Sequence, residues 1–136
     1  MGEALIPSYS IPSFKKTKAL KNISGENRMK PSDNYRLVLV TCASPMQAKL
    51  IARSVVEKRL AACVSILRSP VESHYRWNGK VEKARELLLL VKTTARKLGG
   101  LEREVKRLHS YDVPEFIALS IVAGSEAYLD WLDENT

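Results

Sequence analysis

The sequence predicts an α+β domain whose four strands and two long helices follow the order βαββαβ, with a short helix added at the end. Three observations carry this. A two-residue hairpin stands at Trp77-Asn78-Gly79-Lys80, amphipathic helical stretches lie on either side of the hairpin strands, and the remaining apolar runs are short and rich in β-branched residues.

The first strand is Leu37-Val38-Leu39-Val40, ending near Cys42. Ser44-Pro45-Met46-Gln47 then signals a helix start, with Ser44 as N-cap, Pro45 at the first turn and Gln47 completing a capping box. Ala48, Ile51, Ala52, Val55 and Val56 fall on one face of that helix, which runs to about Leu60. The second strand begins at Cys63-Val64-Ser65-Ile66-Leu67, and Pro70 predicts an edge position, a bulge or a bend within it. Val71 to Trp77 alternates apolar and polar residues up to the turn. Asn78-Gly79 suits the two positive φ angles of a type I′ turn, which would set Trp77 opposite Lys80 and Glu72 opposite Arg85. The third strand runs from Lys80 through Leu87-Leu88-Leu89-Leu90-Val91 to about Thr93. Leu98, Leu101, Val105 and Leu108 write the second helix, weakened at its start by Gly99-Gly100. Phe116 to Val122, entered past Pro114, is the fourth strand. Gly124 then breaks the chain, Ser125 caps, and Tyr128, Leu129, Trp131 and Leu132 give a final helix one apolar side.

This order is the ferredoxin-like split βαβ arrangement, with right-handed crossovers placing both long helices on one face of an antiparallel sheet. Strands one, three and four are apolar on both faces, so the other face would be left bare. A bare apolar sheet is larger than the patches monomers expose, and closed self-association is the simplest cover.

Residues 34–136 form the predicted domain. Residues 1–33 show no period, contain Pro7, Pro12, Pro31 and Gly25, and read as a flexible basic tail. They hold six Lys/Arg (15, 16, 18, 21, 28, 30) and three acids (3, 26, 33), a net +3 of the chain's +7. The tail carries no apolar secretory core, and its lysines and prolines argue for the cytoplasm over a mitochondrial transit peptide, which is the alternative. The Leu87–Val91 run is far shorter than the ~20 residues that span a bilayer. Two cysteines, Cys42 and Cys63, make neither a zinc pattern nor a disulfide scaffold.

The sequence has no Gly-rich phosphate loop, GxSxG elbow or HExxH motif, so no enzyme class is indicated. Cys42 sits between a strand end and a helix N-cap, where loops line sites, whereas Cys63 at a strand start reads as core packing. His109 ends the second helix and either complements its dipole or serves as a ligand. Glu86 faces Val71 in the hairpin register and needs a partner, Glu115 opens the fourth strand, and Tyr111 and Tyr128 read as core rings with hydroxyls at the rim. His74, between Glu72 and Arg76, reads as an exposed hairpin residue. RNA-binding domains share the βαββαβ order, but the two central strands here offer no ring for base stacking, so nucleic acid is not an expected partner.

Five stretches taken in order over residues 35–133 resemble the CutA family of divalent-cation tolerance proteins. They are Val55–Val64 (VVEKRLAACV), Tyr75–Glu82 (YRWNGKVE), Leu90-Val91-Lys92-Thr93, His109–Leu119 (HSYDVPEFIAL) and Tyr128–Leu132 (YLDWL). The resemblance implies an interlocked homotrimer, a cytoplasmic role in tolerance of copper and other divalent metals, and no catalytic activity. In the animal branch it also implies a partner protein, in acetylcholinesterase assembly. By motif it points to His109, Cys42 and Glu86 as metal donors. The chain departs from the pattern at Leu108, Ser110 and Ala84, where members often carry His, Pro and an acid. A nitrogen, sulfur and oxygen set of this kind suits copper or zinc over magnesium. The expected function is thus a trimeric metal-response protein, and the alternative is a trimeric regulator or scaffold whose clefts take a metabolite or partner protein.

Overall fold

A computed structural model of the chain describes residues 29–136. Its elements are β1 (Met29–Pro31), β2 (Tyr35–Cys42), α1 (Pro45–Glu57), β3 (Cys63–Trp77), β4 (Lys80–Thr94), a 3-10 turn (Ala95–Lys97), α2 (Leu98–Leu108), β5 (Ile117–Ser120), β6 (Ala123–Ser125) and α3 (Glu126–Glu134). The main sheet is antiparallel in the order β3-β4-β2-β5, and β1 pairs with β6 in a separate two-stranded ladder.

Local chemistry explains each boundary. Ser44 Oγ accepts from the Gln47 N–H at 3.2 Å, so a donor that the start of α1 leaves without an intrahelical partner is satisfied. At the far end Arg59 adopts a left-handed φ of 55°, and Thr93 Oγ1 donates to the Leu60 carbonyl at 2.7 Å. The hairpin turns on Asn78 (φ 49°) and Gly79 (φ 76°), with Trp77 opposite Lys80 and Glu72 opposite Arg85 as the turn chemistry requires. The ladder between β3 and β4 shifts register between Leu67 and Val71, which is the bulge that Pro70 foretells on an edge strand. Gly100 has a packing reason, because a Cβ there would lie 3.0 Å from Leu60 Cδ2.

The core lies between the sheet and the two long helices. Val38, Val40, Leu87, Leu89 and Val91 meet Ala48, Ile51 and Val55 of α1 and Leu101 and Val105 of α2. Burying each of the larger side chains contributes roughly 1.5–3 kcal/mol. Glu104 ties α1 to α2, accepting from Ser54 Oγ (2.7 Å), Lys58 Nζ (2.9 Å) and Arg107. Those donors hold its carboxyl well below the usual range, Arg107 foremost.

Three expectations need correction. The segment read as a structureless tail is ordered at its end: Met29–Pro31 pair with β6, and Lys30 Nζ meets Asp130 Oδ1 at 3.1 Å. The rest of the tail, residues 1–28, lies outside the described residues. The single fourth strand from Phe116 to Val122 is instead Ile117–Ser120, followed by the separate strand β6. The second sheet face is also not wholly bare, because α3 packs Leu129 and Leu132 against Tyr35 at one end of it. Away from α3, Leu67, Ile117 and Leu119 stay exposed on that face at 44–48%.

Candidate functional site

The site grows out of the hairpin register. Val71 pairs with Glu86, Ser73 with Ala84 and Tyr75 with Glu82, so Ser73, Tyr75, Trp77 and Glu86 share the sheet face away from the long helices. Glu86 lies where β4 passes from its charged half to its apolar half and is only 7% exposed. The loop from His109 to Phe116, between α2 and β5, forms the opposite wall. A cleft of about 790 Å³ lies between them, lined by Thr41, Tyr75, Trp77, Glu86, Tyr111 and Glu115 among others.

Two side chains hold the loop in place. The Nε2–H of His109 donates to the Thr41 carbonyl at 2.7 Å, and its Nδ1 accepts the Tyr111 N–H at 3.1 Å. Tyr111 in turn donates its hydroxyl to Glu86 Oε2 at 3.1 Å, its ring 4.7 Å from the His109 ring. Burial, and next the Glu86 charge, push the Tyr111 phenol up to about 12, so it stays a donor. Burial and the same Glu86 charge raise the Glu115 carboxyl, which places two carboxylates within electrostatic reach in the cleft.

The three residues expected to bind metal come into one neighbourhood but do not aim at a common point. Cys42 is fully buried on the helix side of β2, its Sγ 3.8 Å from the Ser44 carbonyl oxygen, and burial raises its thiol. Both ring nitrogens of His109 are engaged with backbone. Only Glu86 faces the cleft. Among the described residues no group of three His, Cys, Asp or Glu side chains is arranged to hold a metal ion. A three-donor copper or zinc centre built from Cys42, His109 and Glu86 therefore does not fit this arrangement.

His74 reaches the rim of the cleft from the exposed hairpin, where its Nε2 pairs with Glu72 Oε1 at 2.7 Å. Cys63 is half-buried rather than core, with the Lys92 ammonium 3.9 Å from its sulfur. Tyr111, taken as a core ring, instead closes the cleft on Glu86. Glu115, read from the sequence only as the acid that opens the fourth strand, lines the cleft with Glu86, and so do Tyr75 and Trp77, which the sequence reading placed in the hairpin alone. The hairpin register put Tyr75 and Trp77 on the Glu86 face, so that much was available from the sequence.

The split βαβ sheet with a terminal helix and a loop-walled cleft defines a small ferredoxin-like subunit. The profile of the CutA1 divalent ion tolerance protein family matches residues 36–135, and the chain belongs to that family. The divalent-cation tolerance protein CutA of Thermus thermophilus is 52% identical over 100 residues, 74% of this chain and 96% of the relative. A CutA of Arabidopsis thaliana named as chloroplastic is 40% identical over 133 residues, 95% of this chain and 72% of the relative. The solved CutA of Synechococcus elongatus superimposes with a TM-score of 0.75 at 36% identity, covering 79% of this chain and 95% of that one. No helix among the described residues is long and apolar enough to cross a membrane.

Proposed function

We propose that this chain is a non-enzymatic homotrimer of the divalent-cation response, and that it takes up cations weakly through carboxylate oxygens in its clefts. The observation that carries this is the Glu86–Glu115 pair. Two carboxyl groups line the same cleft, and Glu115 is raised first by burial and then by the Glu86 charge, a repulsion that a cation there would relieve. The open sheet face supports assembly, since Leu67, Ile117 and Leu119 remain exposed where a neighbouring copy would cover them. Copper or zinc would engage His109 only if its ring left Thr41, and Cys42 only if β2 opened, so carboxylate oxygen is the first donor. The cytoplasm is the compartment we assign. An organellar alternative, mitochondrial on the charge of the tail, draws support from the chloroplastic relative, whose alignment reaches into that segment.

Titration calorimetry of EDTA-treated, tag-free protein with Cu²⁺ and Zn²⁺ tests the reading. It expects weak uptake that Glu86→Gln or Glu115→Gln abolishes and that the double change Cys42→Ala, His109→Ala leaves largely intact. No heat with either metal would end the cation reading.

A further inference from the structure

Charge is spread unevenly over the fold. Residues 45–60 and 95–108, which contain the two long helices, hold nine Lys or Arg and only three acids, Glu57, Glu102 and Glu104. The other described residues hold eight Lys or Arg and ten acids. The whole positive excess of the described domain therefore lies on its helix layer. The three acids there are already paired within the layer, Glu57 with Arg53, Glu102 with Lys106, and Glu104 with Lys58 and Arg107. Lys49 and Arg103 are exposed and form no ion pair among the described residues.

This layer stays accessible whatever covers the sheet. Both helices pack on the sheet face that carries Val38, Leu89 and Val91, opposite the face of Leu67, Ile117 and Leu119. A second copy seated on that opposite face leaves the outer helix surfaces in solvent, and so does a monomer. The Ser54–Glu104 hydrogen bond ties α1 to α2, so the two outer surfaces form one platform.

The platform is not simply charged. Met46, Lys49, Leu50, Arg53 and Val56 follow one another at helical spacing and share the outward side of α1. Met46 is 82% exposed, Leu50 53% and Val56 40%. A helix surface that mixes Lys and Arg with exposed aliphatic chains suits the lipid–water interface, where head groups supply the anions and the acyl boundary takes the aliphatic carbon. A nucleic acid would use the charge and leave the aliphatic chains in water. Residues 45–60 and 95–108 contain no Phe, Trp or Tyr, so a single strand would find no ring to stack on.

We infer that the helix layer is a docking surface for an anionic lipid bilayer, with Lys49, Arg53 and Arg103 at the head groups and Met46 and Leu50 reaching below them. The inference is independent of the cleft carboxylates and of metal.

The test is co-sedimentation of the full-length protein, in EDTA, with vesicles of phosphatidylcholine containing phosphatidylglycerol, against vesicles of phosphatidylcholine alone. The protein should bind the anionic vesicles and not the neutral ones, and should bind less as salt is raised. Lys49→Glu with Arg53→Glu should weaken binding roughly tenfold or more, with the circular dichroism unchanged. Met46→Ser with Leu50→Ser should weaken it at every salt concentration. Should the first pair fail to fold, Arg103→Glu serves as the second variant with the same expected direction. The basic residues of 1–28 are present in every variant, so undiminished binding in a folded charge variant overturns the inference. Equal binding to both kinds of vesicle, or to neither, overturns it as well. An RNA duplex bound more tightly than the anionic vesicles would overturn it in favour of nucleic acid.

Discussion

The Nε2–H of His109 meets the Thr41 carbonyl at 2.7 Å, joining the loop after α2 to the end of β2 across 68 residues of sequence. The same ring receives the Tyr111 N–H, so one side chain satisfies two backbone groups and sets the wall of the cleft.

Replacing that ring should cost stability before it costs any ligand. His109→Ala removes two hydrogen bonds and leaves a partly buried carbonyl and N–H without partners, a loss of roughly 2 kcal/mol. Urea unfolding should show this loss equally in EDTA-treated and metal-supplemented protein. A loss seen only with metal present would instead make His109 a resident metal donor.

Tyr111 should ionise late. Its phenol is pushed to about 12 against an ordinary 10.0, so the folded state keeps a proton that the unfolded state gives up. Its contribution to stability is complete below about 10 and is lost as pH rises towards 12. Absorbance titration of the phenolate should show a late step that Tyr111→Phe removes.

The acid side is governed by Glu104. Its carboxyl is depressed well below the ordinary 4.5, chiefly by Arg107 and then by Ser54 and Lys58. The folded state therefore resists protonation, and the stabilisation present above 4.5 is lost as pH falls below it. Glu104→Gln should be less stable than wild type at neutral pH and should lose less on acidification. Parallel acid-unfolding curves for the two proteins would contradict this.

Much of this architecture was legible because local chemistry and global fold agree. Asn78-Gly79 fixes the hairpin register, Ser44-Pro45 starts α1, and Pro70 marks the bulge. The cleft was harder to read. Tyr111 reaches Glu86 only because the loop after α2 folds back over β4, and no local period encodes that contact. His109 was legible as a site residue but not as a backbone clasp, since Thr41 lies 68 positions away. The strand β1 was missed because three residues carry no periodic signal. Its order comes from pairing with β6 and from the Lys30–Asp130 contact.

The two faces of β4 should respond differently to charge. Leu89 is fully buried against the helices, so Leu89→Asp should prevent folding altogether. Leu88 lies on the opposite face with Glu86 and Leu90, opposite Leu67 and Thr41 in the ladders. Leu88→Asp should spare the helix-side core and strike the surface between copies, yielding insoluble protein or a loosened monomer. Circular dichroism with light scattering separates the two outcomes, and identical behaviour would refute the assignment of faces.

Assembly is the proposal on which the rest depends, because a neighbouring copy would cover the open apolar sheet face. Sedimentation equilibrium of the tag-free protein at micromolar concentration tests it most directly. The expected mass is three times the 15.3 kDa of one chain, unchanged on dilution. A stable monomer at that concentration would contradict it.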